Sequence, residues 1–201
     1  MPEAAPLSGL ALVGLLAGTS LASGLRVYAT VAVLGFLGRI GALELPGGLA
    51  ALAHPWVIGV AAFLYLIEFL ADKVPYVDSI WDAVQTFVRV PASTVLAWAA
   101  TAHLPDHTRI IAALLCGGVT LSAHGLKAGA RAAINTSPEP LSNWAASLAE
   151  DGTVAVILWL AVTHPVAALA AAAGTLLLAI LLFSWLVRAL RRFGRARIAR
   201  A

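Results

Sequence analysis

Four polar residues of this sequence lie in apolar segments at positions suited to binding an anion. Lys127, Arg131 and Asn135 are spaced four residues apart, so a helix would place them on one face. Arg26 follows a glycine by two residues in an earlier segment, as Lys127 does in the later one. Cations beside a helix break suit phosphate or carboxylate groups, because freed backbone N–H groups add to the point charges. We therefore predict that these four residues bind a small anion or an anionic headgroup.

Carboxylates form a second candidate group, with a different chemistry. Glu68 and Asp72 are four residues apart, and an acidic pair is expected to open the fifth helix, where carboxylates suit a helix N-terminus. Carboxylate oxygens favour protons or hard cations, and the metal class stays open. His124 is interpreted as a core histidine, with a proton carrier as the alternative. The coupling or ion-pair residues are Glu68, Asp72, Asp78, Asp82, Arg89, Glu150 and Asp151.

The composition places these residues in a membrane protein. Of 201 residues, 61% are hydrophobic and 11% are charged, whereas about a quarter are charged in soluble domains. A spanning helix needs about 20 mostly apolar residues, which leaves room for about six. The apolar runs are continuous, which disfavours a β-barrel. We expect an all-α class, a polytopic helical membrane bundle of about six transmembrane helices.

Charge at the end of the chain predicts its orientation. The sequence pI is about 9.5, but the arginines are concentrated after residue 187 and the remainder is slightly acidic. A basic tail beside a membrane helix is the usual positive-inside signal and favours anionic lipid headgroups, so nucleic acid is not an expected partner. We expect a multi-pass protein of the bacterial cytoplasmic (inner) membrane, with residues 191–201 as a basic cytoplasmic tail. An even span count also places the N-terminus in the cytoplasm.

Two long apolar segments share a pattern that suggests an internal repeat. Thr19–Arg26 aligns with Thr120–Lys127, with a glycine and a cation at matching places. The two halves, 1–104 and 105–190, then hold about three spans each, so the second would be inverted, with a binding site near the bilayer midplane. Breaks are predicted in the first and fourth helices, at Ser23–Gly24 and His124–Gly125. Chance similarity between helices rich in alanine, glycine and leucine is the alternative explanation.

The polar segment 72–89 is an insert in the first half. Its polar residues recur at helical spacing from Val77 to Val88, with apolar residues on the other faces. We expect a short amphipathic or re-entrant helix after the second span.

Four segments together resemble a known family. They are the run from Glu68 to Arg89, Ser23–Tyr28, His124–Arg131 and Ser147–Asp151, and the first is the most specific. They resemble a family of small bacterial polytopic membrane proteins catalogued as a domain of unknown function, over nearly the whole chain. The resemblance implies a polytopic bacterial membrane protein, and it supplies no reaction and no ligand.

Three functions remain open from the residues. The first is a small secondary transporter or lipid-type translocator with a polar midplane site, with proton or cation coupling as an added alternative. The second is a non-transporting structural or accessory protein whose buried charges pair with one another. The third is a membrane enzyme acting on a lipid phosphate, although the sequence holds no recognisable catalytic motif. No cofactor is expected, the partners are membrane lipids and the anion, and a homodimer is left open.

Overall fold

The chain forms a bundle of helices in the computed structural model, which describes residues 8–136 and 139–198. Over those residues every regular element is helical, so the expected all-α class is confirmed. Four helices are long and apolar enough to cross a membrane, and a short 3-10 helix with the helix after it forms a fifth candidate, bent by 73°. The elements are α1 (Gly9–Arg39), the 3-10 helix (Gly47–Ala53), α2 (Pro55–Ala71), α3 (Val77–Ala100), α4 (Asp106–Ile134), α5 (Pro140–Thr163) and α6 (Pro165–Ile198).

Local sequence signals set several of these helix starts. The Ser8 side chain accepts a hydrogen bond from the backbone N–H of Ala11 (3.3 Å) and so caps α1. Prolines at the first positions of α2, α5 and α6 lack the N–H that a first turn leaves unpaired, and their fixed φ suits a helix start.

α1 turns back on itself at Arg26, whose backbone (φ −148°, ψ 83°) is not helical. Before the turn, Gly18 packs against Ala161 in the C-terminal part of α5. Arg26 itself contacts Ser147 in the N-terminal part of α5. Residues 9–25 therefore run antiparallel to α5.

Residues 27–39 then run back along α5 in the opposite direction to residues 9–25. They line a groove with the C-terminal half of α5, from Val154 to Val162. Gly35 packs against Ile58, near the start of α2. α1 is thus a helical hairpin, with residues 9–25 as its first arm, residues 27–39 as its second arm, and Arg26 at its tip.

The later helices alternate in direction from this hairpin. α2 starts beside the second arm, and Asp72, the residue after its last turn, lies against the tip. α3 leads back to the start of the first arm, where Ala100 packs in one cluster with Leu12 and Leu49.

α6 starts beside the first arm, where Pro165 packs against Gly14, and runs alongside α4, where Phe183 lines a groove with Leu126. The two arms and the five helices α2–α6 make seven passes through the bundle. The start of α1 and the end of α6 consequently lie at opposite ends of it. The six spans expected from the sequence are not confirmed: in the described part of the chain four helices, or five with the bent pair, are long and apolar enough to cross a membrane.

The contacts between α1 and α4 contradict the inverted repeat as aligned. Thr120 Oγ1 donates to the carbonyl of Ser20 (2.8 Å), and Lys127 Nζ donates to the carbonyl of Leu25 (3.3 Å). The aligned segments therefore run side by side in the same direction, whereas an axis in the membrane plane would reverse one of them. The predicted break in the fourth helix is also wrong, since α4 is one helix from Asp106 to Ile134.

The polar insert is not a separate short helix. α3 continues from Val77 to Ala100 through Pro91, and begins after Tyr76, which adopts a left-handed φ of 67°. One buried face runs unbroken along α3 and past the proline. It consists of Asp78, Asp82, Gln85, Arg89, Ser93, Ala97 and Ala100. Burial of that whole face against the bundle explains why residues 77–89 of the insert join the third helix.

Candidate functional site

The tip of the α1 hairpin holds a fully buried guanidinium. Arg26 Nη1 lies 2.5 Å from Asp72 Oδ2, and Nη2 donates to Ser147 Oγ (2.9 Å). Arg26 Nε is 2.9 Å from Asp151 Oδ1, and Nη2 is 3.4 Å from Glu150 Oε2. One cation is therefore shared by three carboxylates, from α5 and the end of α2.

The helix break beside Arg26 frees backbone carbonyls, and side chains satisfy them. Thr30 Oγ1 donates to the carbonyl of Arg26 (2.8 Å), and Lys127 donates to that of Leu25 (3.3 Å). Arg89 Nη1 donates to the carbonyl of Gly24 (3.4 Å). Unpaired backbone groups are costly in lipid, so these contacts explain how the turn is tolerated inside an apolar bundle.

Asp72 joins three cations. Its Oδ2 lies 2.5 Å from Arg26, 3.1 Å from Lys127 Nζ and 3.5 Å from Arg131 Nη2. Its other oxygen, Oδ1, is buried and has no hydrogen-bond partner among the described residues. Three cations on one oxygen keep this carboxylate ionised.

Asn135 connects three helices and does not lie among the cations. Its Nδ2 donates to Asp78 Oδ1 (2.8 Å) at the start of α3, and its Oδ1 accepts from Asn143 Nδ2 (3.1 Å) on α5. Arg131 lies one turn earlier on α4 and pairs with Glu150 Oε1 (2.8 Å).

Arg89 is the centre of a second group on α2, α3 and α4. It pairs with Glu68 Oε1, and its Nη1 is 3.1 Å from Asp82 Oδ1 and 2.6 Å from His124 Nδ1. Lys127 Nζ, 3.3 Å from Asp82 Oδ1, joins this group to the one around Asp72.

The hydrogen bonds fix the state of His124. Arginine only donates, so Nδ1 of His124 must accept from Arg89. Nε2 then carries the proton and donates to Thr86 Oγ1 (2.7 Å). His124 is therefore a neutral, satisfied residue in this arrangement, and it orients Arg89.

The acidic pair of α5 lies elsewhere than expected. Glu150 and Asp151 stand near the middle of α5, which begins at Pro140, so the expectation that they open the fifth helix is wrong. The apolar run that marks this helix in the sequence begins only at residue 153. The first turns of α5 were missed because they contain polar residues such as Asn143 and Ser147. Both are fully buried and face the same network at helical spacing from Glu150. That spacing could have identified them from the sequence.

All the sequence-predicted site residues come together in this one network. It holds the cations Arg26, Lys73, Arg89, Lys127 and Arg131 and the carboxylates Glu68, Asp72, Asp78, Asp82, Glu150 and Asp151, five against six. Over the described ranges, no three histidine, cysteine, aspartate or glutamate side chains are grouped so as to hold a metal ion.

Comparison with known proteins gives the family. No curated protein and no solved structure matches the chain. A family model matches residues 13–185, a range that includes every residue of the charge network. The resemblance seen in the sequence is confirmed, and the chain belongs to the family described as domain of unknown function DUF4126.

Proposed function

We propose that this protein is a small proton-coupled secondary transporter whose coupling proton binds to Glu68. The observation that carries the proposal is the position of that carboxylate. Glu68 is fully buried, and among the described residues Arg89 is the one hydrogen-bond donor to its side chain, at Oε1; its Oε2, like one oxygen of each other carboxylate in the network, has no hydrogen-bond partner. A buried carboxylate with an incomplete set of partners favours its neutral, protonated form.

The charge balance supports the same conclusion. Six carboxylates and five cations leave one negative charge in excess, and Lys73 has no carboxylate within 4.0 Å in the part of the chain that the structure describes. An uncompensated charge inside an apolar bundle is costly and normally marks a functional site. A bound proton or cation removes the excess.

Asp72 is a poorer proton carrier than Glu68. Three cations meet on Asp72 Oδ2, whereas Glu68 has one cation that it shares with Asp82. Protonating Asp72 would therefore give up three attractions, and protonating Glu68 gives up one shared attraction.

The balance also bears on the substrate expected from the sequence. Arg26, Lys127 and Arg131 are matched by carboxylates, so an anion could bind them only by replacing Asp72. A cation can instead take the place of the excess proton. Geometry therefore favours exchange of a proton for a cation over binding of an anion at these three residues.

A structural role is the second candidate, and one observation favours it. Arg26, Arg89, Lys127 and Arg131 each lie within 4.0 Å of a carboxylate. In that case the network only ties the helices together, and breaking a pair would destabilise the fold without any effect on transport.

For orientation, we propose that the end of α6 faces the cytoplasm, because Arg188 and Arg191 lie there. The start of α1 then lies on the opposite side of the bacterial cytoplasmic membrane. The basic tail predicted at 191–201 lies outside the described residues from 199 onward.

Vesicles test the transport proposal. Purified protein is reconstituted into vesicles with an acidic lumen and a trapped pH-sensitive dye, and either ethidium or inorganic phosphate is added outside. We expect ethidium entry to raise the pH of the lumen by exchange, and Glu68→Gln to remove this response. If neither ethidium nor phosphate causes proton movement that depends on the protein, the proposal is wrong.

A further inference from the structure

A groove on the side of the bundle has features that the charge network alone does not explain. It lies between the second arm of α1, the middle of α2 and the C-terminal half of α5, and its volume is about 560 Å³. Its walls are apolar, and Val33 at its edge is 39% exposed on the face of the bundle. Since the surrounding surface is apolar, the groove opens toward the lipid.

One carboxylate stands in this apolar groove. Asp151 lines it, and its side chain is 20% exposed. The cation behind it, Arg26, is the one cation within 4.0 Å of Asp151 among the described residues, and Asp72 and Glu150 share it. Asp151 is therefore only partly neutralised, so the groove carries negative charge.

Two aromatic side chains line the same groove. They are Tyr65 of α2 and Trp159 of α5, and Trp159 is 57% exposed. The faces of aromatic rings attract cations, most strongly where water is excluded. Apolar walls, aromatic rings and a carboxylate together form the kind of site that recognises an organic cation.

We propose that this lateral groove binds a hydrophobic organic cation, with Asp151 as its counter-ion and Tyr65 and Trp159 as its aromatic contacts. The proposal rests on the proposed function, since it names the substrate class of the same transporter. An anion does not fit, because Asp151 would repel it and Arg26 lies behind that carboxylate.

Binding at Asp151 also supplies a route to coupling. A cation beside Asp151 neutralises the one excess charge of the network, which removes the need for the proton on Glu68. Proton and organic cation thus compete for the same excess charge without sharing a residue.

A pair of probes with the same shape and opposite charge tests the proposal. Purified full-length protein in detergent is dialysed against tetraphenylphosphonium and, in parallel, against tetraphenylborate. We expect saturable binding of the phosphonium, and about tenfold or more weaker binding to Asp151→Asn, the loss typical of removing a charge partner. Equal binding of the phosphonium to both proteins, or tighter binding of the borate than of the phosphonium, would overturn the proposal. The second result would favour an anion site instead.

Filling the groove gives a test that changes no charge. Val33→Trp should abolish phosphonium binding because its ring occupies the groove, while Val95→Trp, on the exposed surface of α3, should bind as the wild type does. Thermal melting shows whether each variant is folded. If folded Val33→Trp still binds the phosphonium at full affinity, the groove is not the site.

The groove proposal and the proton-coupling proposal can fail independently, and the experiments distinguish the two cases. Glu68→Gln resembles the protonated state, so it should still bind the phosphonium, but more weakly than the wild type, and release no proton when it does so. If the wild type carries the Glu68 proton but does not bind the phosphonium, the proposed function stands and the groove proposal is wrong.

Discussion

Arg26 Nη1 lies 2.5 Å from Asp72 Oδ2, and this contact joins the tip of the α1 hairpin to the residue that caps the C-terminus of α2. Without the other, each of these residues would be an uncompensated charge in a buried position. Arg26 is a fully buried cation at a break in a helix, and Asp72 is a fully buried carboxylate at the end of another. By pairing, each residue compensates the buried charge of the other, and the pair forms the centre of the network.

Asp72→Asn should destabilise the protein by about 3 to 5 kcal/mol, because three buried cations lose their common partner. Melting in detergent measures the change. The matched control is Asp106→Asn, whose side chain is 80% exposed and whose loss should change stability little. Adding Lys127→Gln to Asp72→Asn should recover part of the stability. If Asp72→Asn has the same melting temperature as the wild type, Asp72 is not at the centre of the network.

The crossing of α1 and α4 gives a prediction about packing. A Cβ on Gly24 would lie 2.5 Å from Ala123 Cβ and 2.6 Å from the carbonyl of Thr120, whereas a Cβ on Gly125 has nothing within 4 Å. Gly24→Ala should therefore cost about 1 to 3 kcal/mol by overpacking. Gly125→Ala should stabilise the protein by about 0.5 to 1 kcal/mol, as expected in a helix interior. Equal effects of the two substitutions on the melting temperature would contradict this packing.

The hairpin predicts the sidedness of the chain. Single cysteines at Gly9 and His107, in a Cys116→Ala background, should react with a membrane-impermeant reagent from one side, and cysteines at Thr136 and Arg191 from the other. Labelling of intact and opened cells measures this. Reaction of cysteines at positions 9 and 191 from the same side would support the even span count expected from the sequence and contradict the hairpin.

The residues of the network could be read from the sequence, because charges in apolar segments are rare and costly. Lys127, Arg131 and Asn135 share one face of α4 as their spacing indicated, and they meet the carboxylates of other helices. Which cation pairs with which carboxylate could not be predicted in this way. The partners of Asp72 come from α1 and α4, and no local pattern records that convergence.

The direction of the helices was harder to predict than their existence. The apolar run from residue 7 to 37 is long enough for one tilted span and equally suits two short arms, so length alone does not reveal a hairpin. The signal lay at Ser23–Gly24 and Arg26, where a break was expected. Pairing that break with a similar sequence in α4 gave an inverted repeat, but α4 is continuous where it passes Gly24 at Ala123.

The protonation of Glu68 is the central claim, and infrared spectroscopy measures it directly. Spectra of purified protein at neutral pH, in H₂O and in D₂O, reveal any protonated carboxylic acid by its isotope-sensitive carbonyl band. We predict that the wild type shows this band, that Glu68→Gln lacks it, and that Glu139→Gln, at an exposed site, retains it. A wild type without the band, or a band that persists in Glu68→Gln, would contradict the account.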